Sequence, residues 1–197
     1  MIKAIIFDHG GVLSVSGDLK GFCDMYAPKF GADPEAFNEL MRSMWDEMRI
    51  GKADSNLFWK RLADFLKIDE KTVRRDLIDF SGFRHDVFEL AKKLKVRYKL
   101  AILSNQIENW FEEIIEKHRM GEVFDVIVTS YGSRIAKPDI GIYNEVIRRL
   151  GVKPSECVFV DDLETNMSPA KKLGMKTILF KDTEQLKNDL KKLGVKF

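Results

Sequence analysis

Asp8, Ser104-Asn105 and Asp161-Asp162 each follow a short apolar run, Lys137 lies in a loop before Pro138, and their side chains carry distinct chemistry. A carboxylate can attack phosphorus or carbon as a covalent nucleophile. Paired carboxylates and water can hold Mg²⁺, which takes oxygen ligands. A lysine, a hydroxyl and an amide can neutralise and hydrogen-bond the oxygens of an anion. A phosphoryl group undergoing transfer needs all of these at once. Taken singly, each signal also has a plain structural use. Asp8 suits a turn or a helix cap, Ser-Asn and Lys-Pro are common in loops, and paired acids often cap helices.

Bringing residues 8 to 162 together requires a scaffold, and the runs before them supply one. Met1–Phe7, Tyr98–Leu103, Phe124–Thr129, Cys157–Val160 and Thr177–Phe180 are short, apolar and bounded by turn residues, as expected of strands covered on both faces. Helical patterns across 109–117, 141–150 and 163–174 separate the last four, with another across 86–94 before them and a C-terminal one after them, where Leu186, Leu190 and Leu193 form the apolar side. Strands alternating with helices predict a doubly wound parallel sheet, Rossmann-like, with right-handed crossovers. Its strand ends share one rim, where ligands bind. Gly10 and Gly11 after Asp8 free the backbone there and let a ligand approach without meeting a Cβ.

From Ser14 to about Ser81 the periodicity is helical throughout. Phe37, Leu40, Met41, Met44, Trp45 and Met48 make one stripe after Pro34, and Leu57, Phe58, Leu62, Phe65 and Leu66 another after Asp54 or Ser55. Asp69 suits the cap of a helix carrying Val73, Leu77 and Ile78, and a weaker helix crosses 19–30. The expected organisation is therefore a core of residues 1–15 and 82–197 with a four-helix bundle, 16–81, inserted as a cap. Met25, Met41, Met44, Met48 and Trp45 are expected to be core, although methionines also suit adaptable ligand surfaces. Arg42, Arg49, Lys52, Arg74 and Arg75 read as a solvated face that can lend a residue or two to an anionic substrate.

With 197 residues and 45% apolar content the chain can bury a substantial centre. Lys and Arg total 33 against 31 acids, a net +2 with the signs interleaved, so charge does not suggest nucleic acid. No apolar run reaches the ~18 residues of a membrane span. Residues 1–7 run directly into Asp8, leaving no room for a signal peptide, so a cytoplasmic location is expected. Cys23 and Cys157 have neither metal-site nor disulfide spacing.

In order and spacing, Phe7-Asp8-His9-Gly10-Gly11-Val12-Leu13, Ile102-Leu103-Ser104-Asn105, Ala136-Lys137-Pro138-Asp139 and Phe159-Val160-Asp161-Asp162 resemble the four motifs of the haloacid dehalogenase-like hydrolase superfamily. The resemblance covers essentially the whole chain and is greatest to cap-bearing sugar-phosphate phosphatases and the amino-terminal domain of soluble epoxide hydrolases. Arg49-Ile50-Gly51-Lys52 with Phe58-Trp59 looks like the helix-turn-helix of the small cap. The resemblance implies Asp8 as nucleophile and Mg²⁺ ligand, the Gly10 carbonyl and Asp162 as further ligands, and Ser104, the Asn105 backbone and Lys137 on the phosphate oxygens. Asp161 would orient Lys137 or a metal-bound water, and Asn166 would brace the loop. The substrate implied is a small phosphorylated metabolite. Oligomeric state leaves no trace in the sequence.

One position departs from the motif. Gly10 replaces an aspartate that in the family acts as acid and base, so a phosphatase slowed but not abolished is implied, since such groups contribute about 10²–10⁴-fold. His9 has a suitable ordinary pKa, but strand alternation points it away from the side shared by 8 and 10, and packing is its expected role. Two other readings stand beside the phosphatase. One is a 2-haloacid dehalogenase, whose branch also lacks the second aspartate. The other is a non-catalytic binding or regulatory protein.

Overall fold

A computed structural model describes all 197 residues. Five parallel strands, β1 (Ala4–Phe7), β2 (Lys99–Ser104), β3 (Val126–Thr129), β4 (Cys157–Asp161) and β5 (Lys176–Leu179), form one sheet in the order β3-β2-β1-β4-β5. The central strand β1 is buried along its length. Its alternation divides the core: Ile5 and Phe7 pack with Leu100, Ile102, Val158 and Val160 on one face. Ala4 and Ile6 join Ala101, Leu103, Cys157 and Phe159 on the other. Period-2 geometry thus turns an unbroken apolar run into two buried faces.

Helices α5 (His85–Lys95), α6 (Glu108–Lys117) and α10 (Thr183–Lys192) cover the first face. Helices α8 (Ile140–Leu150) and α9 (Glu164–Lys172) cover the second. A one-turn helix, α7 (Ser130–Ser133), follows β3 where the sequence reads as loop, its start fixed by the Thr129 hydroxyl accepting from Gly132 N. Leu186 and Leu190 are buried in α10, whereas Leu193, just beyond its end, is only partly so.

Between β1 and α5 lie α1 (Leu19–Tyr26), α2 (Pro34–Met48), α3 (Asn56–Leu66) and α4 (Glu70–Ser81). The weak pattern across 19–30 is two pieces, because α1 passes into a 3₁₀ turn over Ala27–Phe30 that Gly31 ends at φ +68°. Asp33 caps α2 by accepting from Ala36 N and Asp69 caps α4 by accepting from Thr72 N, each satisfying a free first-turn donor. At α3 the flanking residue is Ser55, but the oxygen that accepts from Asn56 N belongs to Asp54. Met41, Met44 and Met48 are core, as the stripe predicts. Met25 instead faces solvent, since α1 turns Phe22, Cys23 and Tyr26 inward.

Candidate active site

Parallel register sets the positions of the acids. Phe7 lies opposite Ile102 of β2 and Val160 of β4, so the chain emerges at Asp8 and Asp161 at one level of the rim. Asp8 N donates to Val160 O at 2.8 Å. Ser104 ends β2 on the other flank. These residues open into a cavity of about 730 Å³ that reaches from the strand ends to the inserted helices.

Lys137 comes to this rim from the loop before α8 and is almost fully buried. Its ammonium lies 2.9 Å from Asp8 Oδ1 and 2.6 Å from Asp161 Oδ2. Burial alone would lower its pKa, but the charges of Asp8 and Asp161 outweigh that and raise it, so Lys137 is a cation. The Asn105 side chain clamps the lysine's backbone, donating from Nδ2 to Lys137 O at 3.0 Å and accepting from Lys137 N at 2.8 Å. Asp161 is saturated: besides Lys137 it accepts from Leu163 N at 2.9 Å and from Asn166 Nδ2 at 3.0 Å on each oxygen. Asn166 O in turn accepts from Tyr143 OH at 2.9 Å.

Asp8, Asp161 and Asp162 offer oxygens that all lie within 4.8 Å of one another. Burial pushes the Asp8 carboxyl up to about 7, with Asp161 adding to the shift while Lys137 and the Ser104 hydroxyl oppose it. Asp162 is raised as well, first by burial and then by Asp161. Two carboxyls held above their ordinary range in one pocket are relieved by a hard cation. With Asp161 already occupied by protein donors, Asp8 and Asp162 are the side chains that fit one. Gly11 makes their approach possible: at φ +70° it presents a bare Cα to Asp162, and a Cβ there would sit 2.1 Å from Oδ2. Gly10, by contrast, has ordinary φ, and a Cβ there would meet nothing within 4 Å.

His9 is buried at the cavity edge, edge-to-face with Phe111 at 4.9 Å. Strand alternation does not govern it, because β1 ends at Phe7 and the chain turns. Burial, with lesser contributions from His118 and Lys137, lowers its pKa to about 3, and Gln106 Nε2 lies 3.3 Å from its Nδ1. An imidazole so placed packs and does not serve as a base near neutral pH. From the inserted helices, Trp45 and Arg49 line the cavity while Lys52 stands outside it. Trp110 and Arg84 complete the walls without any motif to announce them, and Gln106, two residues past Ser104, shows only its place at a strand end.

A doubly wound sheet with this rim of acids and a buried lysine defines a hydrolase class, and the chain belongs to the haloacid dehalogenase-like hydrolase family, whose model matches residues 2–174. The chain is 28% identical to D-ribitol-5-phosphate phosphatase of Bacteroides thetaiotaomicron, covering 90% of this chain and 91% of that protein. Bifunctional epoxide hydrolase 2 of Sus scrofa is 25% identical over 98% of this chain, which spans only 39% of that protein's length. A crystal structure of a HAD family enzyme from B. thetaiotaomicron, in complex with magnesium and inorganic phosphate, shares the fold with TM-score 0.78 at 23% identity, covering 92% and 95% of the two chains. No helix is long and apolar enough to cross a membrane.

Proposed function

We propose that this hydrolase is a Mg²⁺-dependent phosphatase acting on a small, sugar-phosphate-like phosphomonoester through an aspartyl-phosphate on Asp8. The observation that carries the reading is the Asp8 carboxylate 2.9 Å from a buried lysine, with Asp162 beside it, at the floor of a cavity large enough for a metabolite. The similarity to D-ribitol-5-phosphate phosphatase supports the substrate class.

A carboxylate oxygen of Asp8 attacks phosphorus, the P–O bond to the leaving group breaks, and the alkoxide takes a proton from solvent. Water then attacks the same phosphorus, the Asp8–phosphate bond breaks, and inorganic phosphate leaves. Lys137 and the Ser104 hydroxyl, with the Asn105 backbone, hold the phosphate oxygens and neutralise their charge. Asp8, Asp162 and the Gly10 carbonyl would hold Mg²⁺, which when bound would supply Lewis-acid polarisation of the phosphoryl group. Asp161 and Asn166 fix Lys137, and residues 16–81 act as the cap that shapes the substrate's pocket. No carboxylate at position 10 assists proton transfer, so turnover is slow.

The test is phosphate release from a panel of sugar phosphates, with and without excess chelator, in wild type and Asp8→Asn. Activity lost in both chelator and variant is expected. Undiminished release in chelator refutes the metal assignment, and near-native release by Asp8→Asn refutes the nucleophile. Halide release from 2-haloacids, without metal, would replace the reading with a dehalogenase.

A further inference from the structure

Ser104 can hold an anion only by donating its one hydroxyl proton, and because the same hydroxyl also accepts, its neighbours decide whether that proton is available. A group that donates to Ser104 Oγ leaves the hydroxyl proton free to point at Asp8 and a phosphoryl oxygen. A group that accepts from it takes that proton away. The residue making this choice is Gln106, which is buried. Its backbone N–H donates to the Ser130 hydroxyl at 3.0 Å, anchoring the residue to the start of α7. Its side-chain Nε2 lies 3.3 Å from Ser104 Oγ and 3.3 Å from His9 Nδ1.

His9 decides which way the amide faces. The buried ring pairs with no carboxylate; in a neutral imidazole one ring nitrogen carries the hydrogen and the other accepts, and the Gln106 amide nitrogen, a donor, stands 3.3 Å from Nδ1. An amide N–H satisfies an accepting Nδ1, whereas an amide oxygen in that place would oppose a lone pair. Nε2 has no hydrogen-bond partner, and the edge-to-face Phe111 ring is a neighbour that tolerates an N–H. His9 therefore holds the Gln106 amide nitrogen toward Ser104.

We infer that Gln106 is a positioning residue of this site, which through its amide, itself oriented by His9, turns the Ser104 hydroxyl proton toward Asp8 and the bound phosphate. The inference rests on the phosphatase reading for its effect on turnover but not for its geometry. The class of ligand it serves is an anion with oxygens close to Asp8.

Two measurements test it. The chain holds three histidines, so ¹⁵N spectra of their ring nitrogens, assigned with His9→Asn, report the tautomer of His9 in the wild type at neutral pH. The Nε2–H tautomer is expected, and an Nδ1–H tautomer overturns the inference whatever the protein hydrolyses. The second is a cycle of Gln106→Leu, Ser104→Ala and the double variant, reading KM for p-nitrophenyl phosphate and the inhibition constant of inorganic phosphate. Gln106→Leu should raise both constants by about 3- to 10-fold, the range of one hydrogen bond, with a smaller change in kcat. It should add nothing once Ser104 is alanine. Equal effects in both backgrounds would make Gln106 merely structural and overturn the inference. If no phosphomonoester is hydrolysed at all, the phosphatase reading fails, while the tautomer still decides the role of Gln106.

Discussion

Replacing Gly10 with aspartate should accelerate this enzyme, and the geometry fixes both the gain and its risks. The position has ordinary φ and open space where a Cβ would stand, so the substitution meets neither left-handed strain nor a clash. The neighbouring Gly11 would not accept the same change. A positioned carboxylate contributes about 10²–10⁴-fold. The new charge, however, joins Asp8 and Asp162, both already raised. Two like charges about 4 Å apart repel by about 4 kcal/mol at an effective dielectric near 20. Bound Mg²⁺ offsets much of this, so the expected gain is toward the lower end, about 10²-fold in kcat.

The assay is rapid mixing with p-nitrophenyl phosphate at saturating Mg²⁺. Wild type should show a burst of p-nitrophenol followed by slow turnover, because hydrolysis of the aspartyl-phosphate lacks its base. Gly10→Asp should lose the burst as the steady state rises. Melting temperature is recorded alongside, where 1 kcal/mol corresponds to about 2–4 °C for a chain of this size. A folded, Mg²⁺-binding variant no faster than wild type would refute the assignment of the slow step.

Gly11→Ala should lose metal affinity and stability together, by about 1–3 kcal/mol for the strained φ alone, read by calorimetric Mg²⁺ titration and thermal melting. Asp161→Ala, which strips Lys137 of a buried partner, should destabilise by about 3–5 kcal/mol in urea unfolding; a loss below 1 kcal/mol would mean Asp8 alone suffices. Mg²⁺ affinity should weaken as pH falls through about 7, since Asp8 then takes up a proton in competition with the metal. The sign for stability is opposite without metal. A carboxyl raised from 3.8 to about 7 stabilises the fold below pH 4, and that contribution is lost as pH climbs to 7. Added Mg²⁺ should therefore raise the melting temperature more at pH 8 than at pH 6, and equal shifts would dissociate Asp8 from the metal.

Much of this architecture is legible in the sequence because its strands are unbroken apolar runs and its helices carry regular stripes. Asp8, Ser104 and Asp161-Asp162 stand at run ends, where parallel register brings them together, and Lys137 joins them from a loop that the Asn105 side chain holds. Residues whose contribution depends on side-chain direction are not legible in that way. Gln106 looks like any polar loop residue until its amide is seen between His9 and Ser104. Trp45, Arg49 and Lys52 carry the same kind of signal, and only the packing of α2 against Trp110 turns two of them inward. The difference between Gly10 and Gly11 is a matter of φ and of Asp162, which lies 151 positions further along the chain.

The inserted helices leave and rejoin the rest of the chain at nearly one point. Val15 N and Ser16 N both donate to Ser81 O, at 2.9 and 3.0 Å, and Arg84 N donates to Leu13 O at 2.8 Å. Residues 16–80 are thus a loop whose closure is already made by its own stem. Lengthening or shortening such a loop changes its closure entropy only logarithmically, about 0.6 kcal/mol per doubling. A change of length within residues 16–80 is therefore felt less at the stem than where the inserted helices pack on the rest of the chain, at Trp45 against Trp110 and Arg74 beside Glu113.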